Sequence, residues 1–110
     1  MAYIPGRGDV VWLMFDPQAG HEQAGHRPAL VISPKAYNAN RGLSLVCPIT
    51  SQVKGHAFEV SIPPGLPVAG VVLADQIKSL DWRARKADYI CTLPFEITDD
   101  VIARITPLLE

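Results

Sequence analysis

Cysteine is scarce: the 110 residues hold two, Cys47 and Cys91. Two thiols make no disulfide framework, so stability must come from a packed core, and the natural setting is a reduced, cytoplasmic one. Long apolar runs are missing; none nears the ~20 residues of a membrane-spanning helix. The stretch from Met1 to Asp9 carries Pro5, Gly6, Arg7 and Gly8 and lacks the apolar segment of a signal peptide. Charge is thin: 19% of residues are charged and the formal net charge is −1, which argues against a general polyanion binder. There is no internal repeat, low-complexity tract or linker.

Apolar residues make up 48% of the chain. At this length the expectation is a single domain over residues 1–110, burying about 65% of its unfolded surface. Charge is unevenly placed. Up to Lys86 there are nine Lys or Arg against six Asp or Glu; beyond it there is one against five. The body is mildly basic and the tail acidic.

Ten prolines and eight glycines cut the chain into short pieces. Val10–Phe15 is an apolar run ended by Asp16-Pro17, too short for a helix, and reads as a buried strand. Asp16–Pro28 is a long polar loop of the kind that often carries function. Ala29–Ser33 and Leu43–Ile49 read as strands, with Pro48 marking an edge or bulge near the end of the second. Lys35–Gly42 between them is a turn with room for one helical turn. Ala57–Ile62 alternates, Phe58, Val60 and Ile62 inward and Glu59 and Ser61 outward, as a half-exposed strand does. Pro63–Pro67 is a turn and Gly70–Ala74 a buried strand, with Gln76–Ser79 continuing it past a bend. Arg83–Ile90 fits no pattern. Thr98–Leu109 has the helical period, with Val101, Ile102, Ile105, Leu108 and Leu109 on one face. Thr98 serves as its expected N-cap, and Pro107 kinks or ends it. Five to seven short strands and a terminal helix predict a mostly antiparallel barrel.

Three polar constellations stand out. The loop Gly20-His21-Glu22-Gln23-Ala24-Gly25-His26-Arg27-Pro28 feeds an arginine, a rigid fork of donors suited to phosphate, into a strand. Its alternative is a solvated loop with a surface ion pair. His21 and His26 lack a third ligand at a zinc spacing, so no metal is expected. Pro48-Ile49-Thr50-Ser51-Gln52 brings hydroxyls to a strand end, unless Thr50 merely terminates it. Asp75-Gln76, with Lys78-Ser79 and Asp81-Trp82-Arg83-Ala84-Arg85, is either an acid beside phosphate-binding cations or a cluster holding a turn. Cys47, in an apolar strand, is an inert core thiol.

In this order these segments resemble the MazF/PemK/Kid family of toxin endoribonucleases, the MazF branch more than the Kid branch. Gly8-Asp9-Val10 with Trp12, Phe15-Asp16-Pro17, the Glu22–Pro28 stretch, Tyr37-Asn38, Pro48–Gln52, Lys54-Gly55, Ala74-Asp75-Gln76 and Trp82-Arg83-Ala84-Arg85 carry the likeness over nearly the whole chain. The resemblance implies an SH3-like barrel with a C-terminal helix, working as a homodimer. It implies cofactor-free, metal-independent cleavage of single-stranded RNA at a short sequence, leaving 2′,3′-cyclic phosphate and 5′-hydroxyl ends. It also implies a partner, a MazE-like antitoxin whose acidic tail covers the RNA groove. By position, Arg27 and Thr50 match the catalytic arginine and threonine, and Glu22 and His21 match loop residues implicated in activity. Asp75 matches a Kid-type catalytic aspartate, but Leu73 stands where that branch has arginine, so that pairing is unavailable. Ser51 and Gln76 are catalytic or structural candidates. Lys54, Lys78, Lys35, Gln52 and Asn38 are the candidate RNA contacts. A gyrase-binding toxin of the same architecture is the competing reading.

Overall fold

The computed structural model describes residues 2–16, 20, 21, 23 and 25–110. Among the described residues seven strands pair antiparallel: β1 Asp9–Met14, β2 His26–Val31, β3 Leu43–Thr50, β4 Glu59–Ser61, β5 Val71–Leu73, β6 Lys78–Asp81 and β7 Asp88–Thr92. The sheet runs β4-β5-β3-β2-β1-β7 with β6 on β3, a barrel-like wrap that does not close. The helices α1 Lys35–Arg41 and α2 Phe95–Ile105 pack with it.

The apolar runs become the sheet's centre because both faces are covered. On one face Val10, Leu30, Cys47, Ile49 and Val72 pack with Val101 and Ile105 of α2. On the other, Val11, Leu13, Phe15, Ala29, Val31 and Val46 close around Leu80. Alternation along β1 and β2 sends neighbours into opposite clusters, as the two-residue period of a strand requires.

Strand β3 is the spine. It pairs with β6 from Leu43 to Val46 and with β5 at Ile49 and Thr50. Pro48 falls where one partner has ended and the other not begun, so its missing N–H disrupts neither ladder on that side. The 3-10 turn Ala74–Gln76 links β5 towards β6 beside this gap, and the Cys47 thiol donates to the Ala74 carbonyl at 3.9 Å.

Several boundaries differ from the sequence expectation. Strand β2 starts at His26, not Ala29, because Arg27 and Pro28 pair with Leu13 and Trp12 of β1. Trp12 and His26 stack there at 5.2 Å. Lys35–Arg41 is a full seven-residue helix, closed by Gly42 at φ 70° with its N–H on Asn38 O at 3.0 Å. The terminal helix starts at Phe95 after Pro94, a residue pre-set for a helix N-terminus, so Thr98 is no cap. Instead Thr98 is buried within the helix, and its hydroxyl has no hydrogen-bond partner among the described residues. The α-helix ends at Ile105, and Thr106–Leu109 continues as a 3-10 turn around Pro107. That change of pitch leaves Leu108 and Leu109 exposed rather than on the buried face. The patternless segment holds the turn into β7, tied by Asp81 Oδ1 accepting the Arg83 and Ala84 N–H groups at 3.1 and 2.9 Å.

Candidate active site

Two adjoining hollows, of about 300 and about 250 Å3, share Gln23, Thr50 and Gln52 and form one groove across the end of β3. The first is lined further by Arg27, Pro28, Ser51 and Ala69, the second by His21, Lys54, His56, Asp75 and Gln76. The structure thus brings together the end of the long loop, the end of β3 and the 3-10 turn, segments distant in sequence.

Arg27 reaches the groove because β2 begins early. Its Nη1 donates to Ile49 O at 3.3 Å, which holds the guanidinium next to Thr50. Thr50 is the last residue of β3 and is only 8% exposed. Its Oγ1 accepts the Gln52 N–H at 3.1 Å, so the hydroxyl proton remains for donation. Close packing fixes this strand end. An added Cβ at Gly70, where φ is +110°, would stand 2.1 Å from Thr50 O and 3.0 Å from Ser51 Cα.

Glu59 also lines the second hollow. Its carboxylate accepts N–H groups from Lys54 at 3.0 Å and Gly55 at 2.7 Å, and His56 Nε2 lies 3.6 Å away. The Lys54 N–H and then the Gly55 N–H favour the ionised form over the opposing effect of desolvation, so Glu59 titrates below the ordinary carboxylate value. Cys47, fully buried on β3, donates to the carbonyl of Ala74, the neighbour of Asp75. Burial, and then the charge of Asp75, push its thiol up to about 12, so it stays protonated and unreactive.

Of the residues singled out in the sequence, Arg27, Thr50, His21, Ser51, Gln52, Lys54, Asp75 and Gln76 line the groove. Glu22 lies outside the described residues. Lys35, on α1, and Lys78, on β6, do not line it. Asn38 is a correction: it is fully buried, its Nδ2 donating to Pro5 O at 2.8 Å and Ser33 O at 3.1 Å, and it has no surface for a nucleic acid. The Tyr37-Asn38 pair signals this internal anchor, not a binding contact. The Asp81–Arg85 cluster also proves to hold structure together. Trp82 donates to Asn38 O at 2.9 Å, and Arg85 Nη1 donates to Met14 O and Asp16 O, both at 2.8 Å, bracing the start of the long loop. Gln23 and His56 fall in the two loops expected to border the groove, and Glu59 is the groove residue that the sequence reading did not place there. The alternation at Glu59 was the available signal. Among the described residues no cluster of three His, Cys, Asp or Glu could hold a metal, and no helix is long and apolar enough to cross a membrane.

The model of the PemK-like, MazF-like toxins of type II toxin-antitoxin systems matches residues 6–109, and the chain belongs to that family. It is 48% identical to the endoribonuclease toxin MazF of Escherichia coli K12, over 97% of this chain and 96% of that one. It is 32% identical to the endoribonuclease EndoA of Bacillus subtilis, over 89% and 88%. The crystal structure of MazF from Deinococcus radiodurans superposes with a TM-score of 0.95 at 52% identity, covering 98% of each chain. A MazE–MazF complex from the same organism gives 0.89 at 52% identity, covering 98% and 97%.

Proposed function

We propose that this protein is the toxin of a type II toxin-antitoxin pair and cleaves single-stranded RNA at a short sequence without a metal. The observation that carries the reading is that Arg27, whose Nη1 donates to Ile49 O, lines the same open groove as Thr50. In this reaction the ribose 2′-hydroxyl attacks the adjacent phosphorus. The 2′-oxygen–phosphorus bond forms, the bond to the 5′-oxygen breaks, and the products are a 2′,3′-cyclic phosphate and a 5′-hydroxyl. Charge gathers on the non-bridging oxygens, where prearranged donors act; one is typically worth about 2.7–4 kcal/mol. Arg27 supplies up to two and Thr50 one. Arginine rests in its protonated form, so Arg27 is not the base; it clamps the phosphate and gives a proton to the leaving 5′-oxygen, and water then returns that proton to the guanidine. The proton from the 2′-hydroxyl goes to Glu22, His21 or water. Lys54, Gln52 and Ser51 border the same groove and are the proposed RNA contacts, with Lys78 outside it.

The working form in this reading is a cytoplasmic homodimer, inhibited by a MazE-like antitoxin. Exposed Trp12, Met14, Tyr89, Phe95 and Leu109 supply apolar surface for a second copy. The test is incubation of the purified, antitoxin-free protein with a long RNA in EDTA, with mapping of the ends. Recurrent cuts at one short sequence with cyclic phosphate and 5′-hydroxyl ends are expected. An all-deoxy strand of the same sequence should remain whole, since it lacks the nucleophile. Folded protein that cuts no RNA would overturn the reading.

A further inference from the structure

The groove holds a carboxamide that the cleavage chemistry leaves unused. Gln76 ends the 3-10 turn Ala74–Gln76, which is anchored from below. Ala74 is fully buried, its N–H donates to Phe58 O at 3.0 Å, and its carbonyl accepts from the Cys47 thiol. From this fixed post the Gln76 side chain reaches the main chain of the long loop twice. Its Oε1 accepts the Gln23 N–H at 3.0 Å, and its Nε2 donates to His21 O at 3.4 Å. The two bonds need an acceptor and a donor on one planar group, which a carboxamide offers and a carboxylate or thioether does not. Both partners are backbone atoms, so Gln76 fixes the path of the loop and not its side-chain identity.

The start and end of the loop are held by other means. Gly25 N–H donates to Asp16 Oδ1, and Phe15 N–H to Gly25 O, both at 2.9 Å. Arg85 braces the Met14 and Asp16 carbonyls. His21 and Gln23, which line the second hollow, are what Gln76 ties down.

We infer that Gln76 is a positioning residue for RNA cleavage: its carboxamide clasps the backbone of His21 and Gln23 and so sets the loop against the Arg27–Thr50 pair. The inference rests on the proposed nuclease reading. Gln76 touches no reacting atom.

Two variants test it in the full-length protein. Gln76→Met keeps length without either bond. Gln76→Glu keeps the acceptor for Gln23 but sets a carboxylate oxygen against His21 O. The first readout is amide hydrogen exchange at residue 23 in the free protein, and the second is kcat and KM on a short RNA in EDTA. Two ordinary hydrogen bonds predict exchange at residue 23 faster by about tenfold or more in Gln76→Met. In both variants kcat should fall by about tenfold or more, KM should change little, and the melting temperature should stay within a few degrees. A merely structural residue would not split kcat from KM in this way. Unchanged exchange at residue 23 overturns the clasp, and faster exchange with wild-type kcat overturns the positioning role. The exchange readout needs no activity, so a failure of the nuclease reading, seen as an Arg27→Ala protein that cuts normally, is recognisable separately.

Discussion

Replacing Gly70 by alanine adds one methyl group where the structure has no room for it. The new Cβ would lie 2.1 Å from Thr50 O and 2.9 Å from Thr50 C, both main-chain atoms that cannot rotate aside. The backbone at Gly70 also has φ +110°, a conformation that a side chain disfavours by roughly 1–3 kcal/mol. Relieving the contact means moving the Thr50–Ser51 backbone or β5 by about 1 Å, an overpacking cost of about 1–3 kcal/mol. Together these give about 2–6 kcal/mol. A chain of this length has an unfolding entropy near ~0.23 kcal/mol/K, so the melting temperature should drop by about 10–25 °C. Gly65→Ala is the control. Gly65 has φ +91° but nothing within 4 Å of an added Cβ, so it bears only the backbone cost. The assay is a pair of thermal melts at equal protein concentration, with RNA cleavage well below both midpoints. Gly70→Ala should be less stable than Gly65→Ala by about 1–3 kcal/mol. It should also lose cleavage while still folded, because the displaced backbone is that of Thr50. Equal melting temperatures for the two variants, with full cleavage by Gly70→Ala, would refute the reasoning.

Other tests address separate parts of the molecule. Arg27→Ala should fold normally, since the side chain is half-buried at the groove, and should lose about 100-fold or more in kcat, measured on a defined RNA. Thr50→Val, which keeps shape and removes the hydroxyl, should lose a similar factor, whereas Thr50→Ser should retain much of the rate. Asn38→Asp would set a buried carboxylate against the Pro5 and Ser33 carbonyls and should cost about 3 kcal/mol or more in chemical denaturation. Glu59 is held below its ordinary pKa of 4.5, so its contribution to stability is complete above that value and is lost as pH falls through the lower folded-state value. Chemical-shift titration should therefore show the Lys54 and Gly55 amides changing below pH 4.5, and a transition at or above it would contradict the assignment.

Much of the sheet was legible because its signals are local. Val10–Phe15 and Leu43–Ile49 are apolar runs with clear stops, and they lie within a residue or so of β1 and β3. The pairing order was not legible. Nothing in the sequence shows that β3 changes partner at Cys47 and Pro48, although Pro48 did mark an irregular point. The early start of β2 escaped because it depends on Leu13 and Trp12 across the sheet, and Thr98 misled because a threonine before two aspartates resembles a cap. At the site, Arg27 and Thr50 stood out through the motif that contains them. Glu59 and the Gln76 contacts are settled by main-chain partners some distance away, which a linear reading cannot supply. Asn38 shows the reverse error, a polar residue in a turn that serves the interior.

The open sheet leaves β4, β6 and β7 each with strand pairing on one side only. Exposed strand edges are templates for polymerisation, and soluble proteins defend them by shortness and charge. These three have three, four and five residues, against eight in β3. Each carries charge: Glu59 on β4, Lys78 and Asp81 on β6, Asp88 on β7. The barrel can therefore stay unclosed without recruiting a neighbour's strand, because its margins are too brief and too polar to nucleate an aggregate.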